Sequence, residues 1–216
     1  MSIQNALVIG AAGGVGQATA AALEAAGAHI VAAGSERDAT DPDQVAALLV
    51  EADFDLVVIA AGARPRMAPI EDQSWESFSR PWEVDVRIAF EVGRAALARP
   101  LRPGSTVLIV SSGAGIAGSP LSGGYAGAKR MQMFLAGYLQ RASDARSLGI
   151  RFVSLAPRNL LAGTEIGEAA AAAYGMQIGP LDPAGVAQAI LAVVDGDSHR
   201  DATQLAVTGA GVEAIR

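Results

Sequence analysis

Tyr125 and Lys129, four positions apart, are the pair in this sequence best suited to moving a proton. On a helix that spacing puts both side chains on one face. An ammonium beside a phenol stabilises the phenolate and draws the phenol pKa down from about 10 toward working pH. Such a phenol can give a proton to a carbonyl oxygen or take one from an alcohol. Ser112, thirteen positions earlier, adds a hydroxyl able to polarise the same oxygen. A Tyr-x-x-x-Lys spacing alone arises by chance in many helices. With a serine at this distance it defines a candidate proton-transfer set of Ser112, Tyr125 and Lys129.

A second feature lies at the amino end. The apolar run at 6–9 leads into Gly10-Ala11-Ala12-Gly13-Gly14-Val15-Gly16 and then into helix-favouring residues at 17–26. Small residues in such a turn let backbone amides approach a pyrophosphate, and the helix N-terminus favours its negative charge. Gly10, Ala12, Gly14, Val15 and Gly16 are therefore candidate dinucleotide-binding positions; a tight strand-to-helix connection with no ligand is the plain alternative. A P-loop is excluded, because Gln17-Ala18 stands where Lys and Ser/Thr are required. At the tip of the second strand the chain reads Ala33-Gly34-Ser35-Glu36-Arg37. With no carboxylate directly at the tip, Ser35 and Arg37 are suited to a ribose 2′-phosphate, which predicts NADP(H), with NAD(H) as the alternative. Arg37 as a plain solvated charge is the competing reading.

These groups need a scaffold. Short apolar runs at 6–9, 29–32, 54–60, 105–110, 150–155 and 204–207 alternate with Ala-rich helical stretches. Unbroken apolar strands separated by helices predict a parallel sheet covered on both faces, hence a single α/β domain of doubly wound, Rossmann-like type with about six strands. Too few residues separate the second strand from the Asp38 segment for a full crossover unit. The fold is therefore expected to be shortened there, leaving the adenine end exposed.

Composition narrows the field. The chain has 216 residues, 51% hydrophobic and 18% charged, enough for a sizeable core and against disorder. A formal charge of −6 argues against a nucleic-acid partner. The absence of Cys excludes disulfides and thiolate chemistry, and no metal site is expected. No signal peptide or membrane span is legible, which predicts a cytoplasmic protein with no membrane partner.

In this order the motifs resemble those of the short-chain dehydrogenase/reductase family: Gly10/Gly14/Gly16, Asp38-Ala39-Thr40-Asp41, Ala60-Ala61-Gly62, Ser112, Tyr125/Lys129 and Pro157. The resemblance implies that Tyr125 is the general acid/base and that Ser112 orients the reacting oxygen. Lys129 would also bind the nicotinamide ribose. Asp38, with Ala39, would contact the adenine, Ala60 to Gly62 would line the cofactor, and Pro157 would pass beside the nicotinamide. Thr164 would stand for a threonine the family places a few residues further on. Asp85 aligns with the family's asparagine of the proton-relay water chain. Ala60 replaces another asparagine, and Arg158 a glycine.

Elsewhere, Arg64 and Arg66 are candidate phosphate or acid clamps, or else solvated charges. Residues 160–176 suggest a substrate lid or a plain surface helix. Trp75, Phe78 and Trp82 are expected to pack internally, and both histidines to be structural. The Tyr/Lys helix, expected over about 124–142, carries Met131, Phe134, Leu135, Tyr138 and Leu139. That excess of apolar side chains predicts a homodimer or homotetramer. The leading expectation is an NADP(H)-dependent oxidoreductase acting on a small carbonyl or alcohol. The alternatives are a non-catalytic dinucleotide sensor or scaffold, and a redox-neutral epimerase.

Overall fold

The computed structural model describes residues 3–196 and 198–215. Seven strands form one sheet: β1 (Asn5–Ile9), β2 (His29–Ala33), β3 (Leu56–Ile59), β4 (Thr106–Val110), β5 (Arg151–Pro157), β6 (Gln204–Thr208) and β7 (Gly211–Ala214). Their spatial order is β2-β1-β3-β4-β5-β6-β7, with β1 to β6 parallel and β7 antiparallel to β6.

The parallel strands are unbroken apolar runs because both faces are covered. On one side lie α2 (Pro42–Leu48), α4 (Arg87–Ala98) and α6 (Gly123–Ala145), contributing Leu48, Ile88, Val92, Leu135 and Leu139 to the core. On the other lie α1 (Gly14–Ala25) and α8 (Pro183–Asp195), contributing Leu23, Val186, Ile190 and Val193. Asp41 accepts from the amides of Asp43 and Gln44, and Asp182 from that of Gly185, so Asp-Pro starts both α2 and α8.

The expected shortening is present: β2 is the sheet edge, and the chain passes from it straight to α2. The strand count is corrected from about six to seven. β7 was missed because Gly211 to Ala214 carries only one β-branched residue and stays largely exposed. β5 also runs two residues further than its apolar run suggested and ends on Pro157.

The chain leaves β1 for β2 on one side and returns to β3 on the other. The sheet order thus reverses beside β1, and in such sheets the ligand crevice lies at that point, outside the carboxyl ends of β1 and β3. The glycine turn, the segment after β3 and Ser111-Ser112 after β4 all gather at that edge. Three short elements complete its rim: α3 (Trp75–Pro81), a π-helical turn (Trp82–Val86) and α5 (Ala114–Ala117). Helix α7 (Glu165–Tyr174) follows β5.

Candidate active site

The first turn of α1 begins at Gly13 with no side-chain cap and no acidic residue, leaving its N-terminal dipole open to an anion. At two positions around that turn no side chain fits. A Cβ on Gly10 would stand 2.4 Å from the Ala61 nitrogen, and one on Gly16 would stand 2.1 Å from the Gly10 oxygen. The first presses the glycine turn onto the segment after β3, and the second closes the turn on the start of α1. Ala12 is exposed at the rim, Val15 packs into the core below, and Gly62 is exposed. An uncapped helix start behind a turn of Gly and Ala fits a dinucleotide pyrophosphate.

Thr164 lies at the same place. Its Cγ2 would be 3.0 Å from a Cβ on Gly14, while its hydroxyl caps α7 by accepting from Gly167 N at 3.1 Å. Helix α7 therefore starts on the glycine turn. Its far end reaches the catalytic side of the crevice. Tyr174 Oη lies 2.5 Å from Ser119 Oγ and accepts from Leu121 N at 3.1 Å. Sequence reading placed a lid here but missed this latch, because nothing in the spacing links positions 119 and 174.

Lys129 and Tyr125 occupy the buried face of α6, exposed by only 6% and 8%. The lysine nitrogen lies 5.4 Å from the centre of the Tyr125 ring and donates to the Val110 carbonyl at 3.4 Å. The two serines after β4 divide their tasks. Ser111 is buried and donates to the Lys129 carbonyl at 2.8 Å, tying α6 to β4. Ser112 stays partly open, its hydroxyl accepting only from Ala114 N at 3.2 Å.

Asp85 is fully buried in the π-helical turn. Its Oδ2 lies 3.1 Å from the lysine nitrogen, and its Oδ1 accepts from Ala63 N at 2.7 Å. Its backbone carbonyl, within the π turn, accepts from Gln132 Nε2 at 2.9 Å. Sequence reading overlooked Gln132, although it sits three residues after Lys129 on the same helix face. Burial works against the charged lysine. The Asp85 carboxylate at 3.1 Å and the Tyr125 phenol outweigh it, holding Lys129 above the usual lysine value.

The adenosine end is different. Arg37 is ion-paired with Glu51 and does not project freely from the tip of β2. Glu36 turns back to accept from Gly34 N at 2.8 Å, while Ser35 is exposed. Asp38 accepts from the amide and hydroxyl of Thr40, and its own amide donates to Gln44. Those Thr40 bonds hold its carboxyl below the usual aspartate value. Ala39 packs into the core. Pro157 is buried, and its carbonyl accepts from Gly113 N at 2.7 Å.

Other expectations need correction. Trp75 is 77% exposed and Trp82 41% exposed, so neither is an internal packing residue; Phe78 is partly buried and stacks on Trp75. Arg64 makes only an exposed contact with Glu165, 3.9 Å away. Arg158, standing where the family has glycine, pairs with Glu213 of β7. A cavity of about 640 Å³ between α8 and the β6–β7 hairpin is lined by none of Ser112, Tyr125 or Lys129. Among the described residues no helix is long and apolar enough to cross a membrane, and no cluster of potential metal ligands occurs.

The fold is a Rossmann-type domain with Tyr125 and Lys129 buried together on α6 and a glycine turn at the start of α1. Residues 6–201 match the NAD dependent epimerase/dehydratase family, and the chain belongs to that family, one of short-chain dehydrogenase/reductase type. It is 31% identical over 175 residues to the Uncharacterized short-chain type dehydrogenase/reductase y4vI of Sinorhizobium fredii (strain NBRC 101917 / NGR234). That match takes in 70% of this chain but 31% of the relative, so the chain spans about a third of the relative's length. Among solved structures it resembles a short chain dehydrogenase from Mycobacterium avium, with TM-score 0.77, 23% identity, and 99% and 85% of the two chains covered. A short-chain dehydrogenase from Streptomyces avermitilis aligns with TM-score 0.75, 21% identity, and 97% and 90% coverage. At such identities the two structures speak for the fold alone.

Proposed function

We propose that this protein is a nicotinamide-dinucleotide-dependent oxidoreductase interconverting a small carbonyl compound and its alcohol. The observation that carries the reading is the buried ammonium of Lys129, 5.4 Å from the Tyr125 ring, in a site joined to the glycine turn through Asp85, Ala63 and Ala61. A nicotinamide dinucleotide held over Gly10, Gly14 and Gly16 at the start of α1 would supply or accept the hydride at the carbonyl carbon. In reduction, the Tyr125 phenol gives its proton to the carbonyl oxygen, and Ser112 hydrogen-bonds that oxygen as charge grows on it. Lys129 stabilises the oxyanion left on Tyr125 until solvent returns a proton. Oxidation runs the same transfers backward.

For the cofactor we propose NADP(H), with Arg37 exchanging Glu51 for the 2′-phosphate beside Ser35. An exposed ion pair of this kind is worth only about 0–1 kcal/mol, so a phosphate competes with it readily. Titration with NADPH and with NADH tests this; tighter NADH binding overturns the preference and leaves the chemistry intact. Small apolar residues along α7 suit a modest, mostly apolar substrate. Trp82, Phe90, Phe134 and Tyr138, all exposed on the π turn, α4 and α6, support a homodimer or homotetramer through that face. Sedimentation showing a monomer at micromolar concentration contradicts that assembly.

A panel of carbonyl compounds with reduced dinucleotide tests the reaction class. The family match favours one second reading, a redox-neutral epimerisation. Co-purifying dinucleotide that is never consumed in net terms, with inversion of a substrate centre, identifies that case. Binding without any turnover supports a sensor.

A further inference from the structure

Lys129 is the sole lysine in a chain whose other fifteen Lys/Arg positions are arginine, and it is almost completely buried. Isolated burial strips a lysine of its proton, since desolvation penalises the charged form by up to several pKa units. A neutral amine would give Tyr125 no cation. Something must hold the charge in place.

We propose that Asp85 is the positioning residue that does so: its carboxylate keeps Lys129 charged beside Tyr125 and fastens it to the cofactor-facing segment after β3. The groups around the ammonium support this assignment. The Val110 carbonyl comes from β4, the Tyr125 ring from α6, and Asp85, 3.1 Å away, is the only ion-pair partner of the lysine among the described residues. The segment at 60–63 brings no charge; it contributes the Ala63 amide to the second carboxylate oxygen. It also contributes Gly62, where a Cβ would stand 2.8 Å from Asp85 Oδ2. One carboxylate thus binds the lysine on one side and the wall of the crevice on the other. An asparagine could accept from Ala63 equally well, but it brings no counter-charge. The carboxylate therefore separates this chain from the asparagine pattern it otherwise resembles.

This inference rests on the proposed reaction only for its purpose, and its test does not require turnover. Because there is one lysine, protein grown with isotope-labelled lysine gives one side-chain NMR signal, readable without cofactor. In the wild type that signal reports an ammonium through neutral pH and past the free-lysine value of about 10.4. In Asp85→Asn, which keeps the shape and the Ala63 bond, the proton is lost at least about one pH unit lower. Loss of the proton below the free-lysine value in the wild type overturns the proposal even if the variant does not fold. An unmoved signal in a folded variant overturns it as well. A turnover profile adds a second readout: the variant's kcat should fall as pH rises through its own lysine value, while the wild type keeps its rate there. If neither protein turns over, the oxidoreductase reading fails and the lysine titration still decides the role of Asp85.

Discussion

The two ends of the crevice handle charge in opposite ways. At the adenosine end, Glu36, Arg37, Asp38 and Asp41 are satisfied by neighbours within a few residues or by Glu51, at or near the surface. At the catalytic end, Asp85 and Lys129 come from different elements and are almost wholly withdrawn from water. Exposed pairs exchange partners at little cost, whereas a buried pair that loses one member leaves an uncompensated charge, costing about 3–5 kcal/mol. On the proposed reading, cofactor choice would rest on replaceable contacts, and proton transfer on contacts that cannot relax.

The largest effect is expected where a buried partner is removed altogether. Lys129→Met should lower thermal stability by about 3–5 kcal/mol and abolish turnover; a melt within 1 °C of wild type would show that the pair is not structural. Next comes the cradle. Gly16→Val should eliminate dinucleotide binding in a fluorescence titration, since its first side-chain atom already overlaps the Gly10 oxygen; retained affinity would place the cofactor elsewhere. Third, Tyr174→Phe removes the latch to Ser119 and Leu121, a net loss of about 1 kcal/mol. It should raise KM several-fold with little change in dinucleotide Kd.

At the adenosine end the effects are smaller. Thr40→Val removes the bond that most lowers the Asp38 carboxyl, so that group should titrate closer to the usual aspartate value. The sign follows from linkage: a carboxyl held low stabilises the fold above its unfolded value and loses that contribution as pH falls through the folded value. The variant should therefore differ from wild type above about pH 4 and converge with it in stronger acid, by a small margin because Asp38 is exposed. A difference that grows toward acid would reverse the assignment. For Lys129 the sign is opposite. Its raised value keeps the contribution of the pair intact below the unfolded lysine value and removes it as pH climbs through the folded one.

Legibility in the sequence followed the same division. The strands β1 to β6, the glycine turn and the closeness of Tyr125 to Lys129 could be read directly, because each depends on local spacing or on a continuous apolar run. Three things could not. The partnership of Asp85 with Lys129 joins positions 44 apart in sequence across a π turn, and nothing in the local pattern of 82–86 announces it. The withdrawal of Ala39 into the core depends on how the chain bends from β2 into α2. Trp75 and Trp82 looked like core residues because large aromatics usually are, yet the core beneath α4 and α6 is already filled by Ile88, Val92, Leu135 and Leu139.

One comparison bears on the central claim most directly: wild type against Tyr125→Phe, each titrated with reduced dinucleotide and then assayed on the carbonyl panel. The account predicts cofactor affinities within a few-fold of each other and a turnover lower by at least about 10²-fold in the variant. Equal turnover in the two proteins would contradict it.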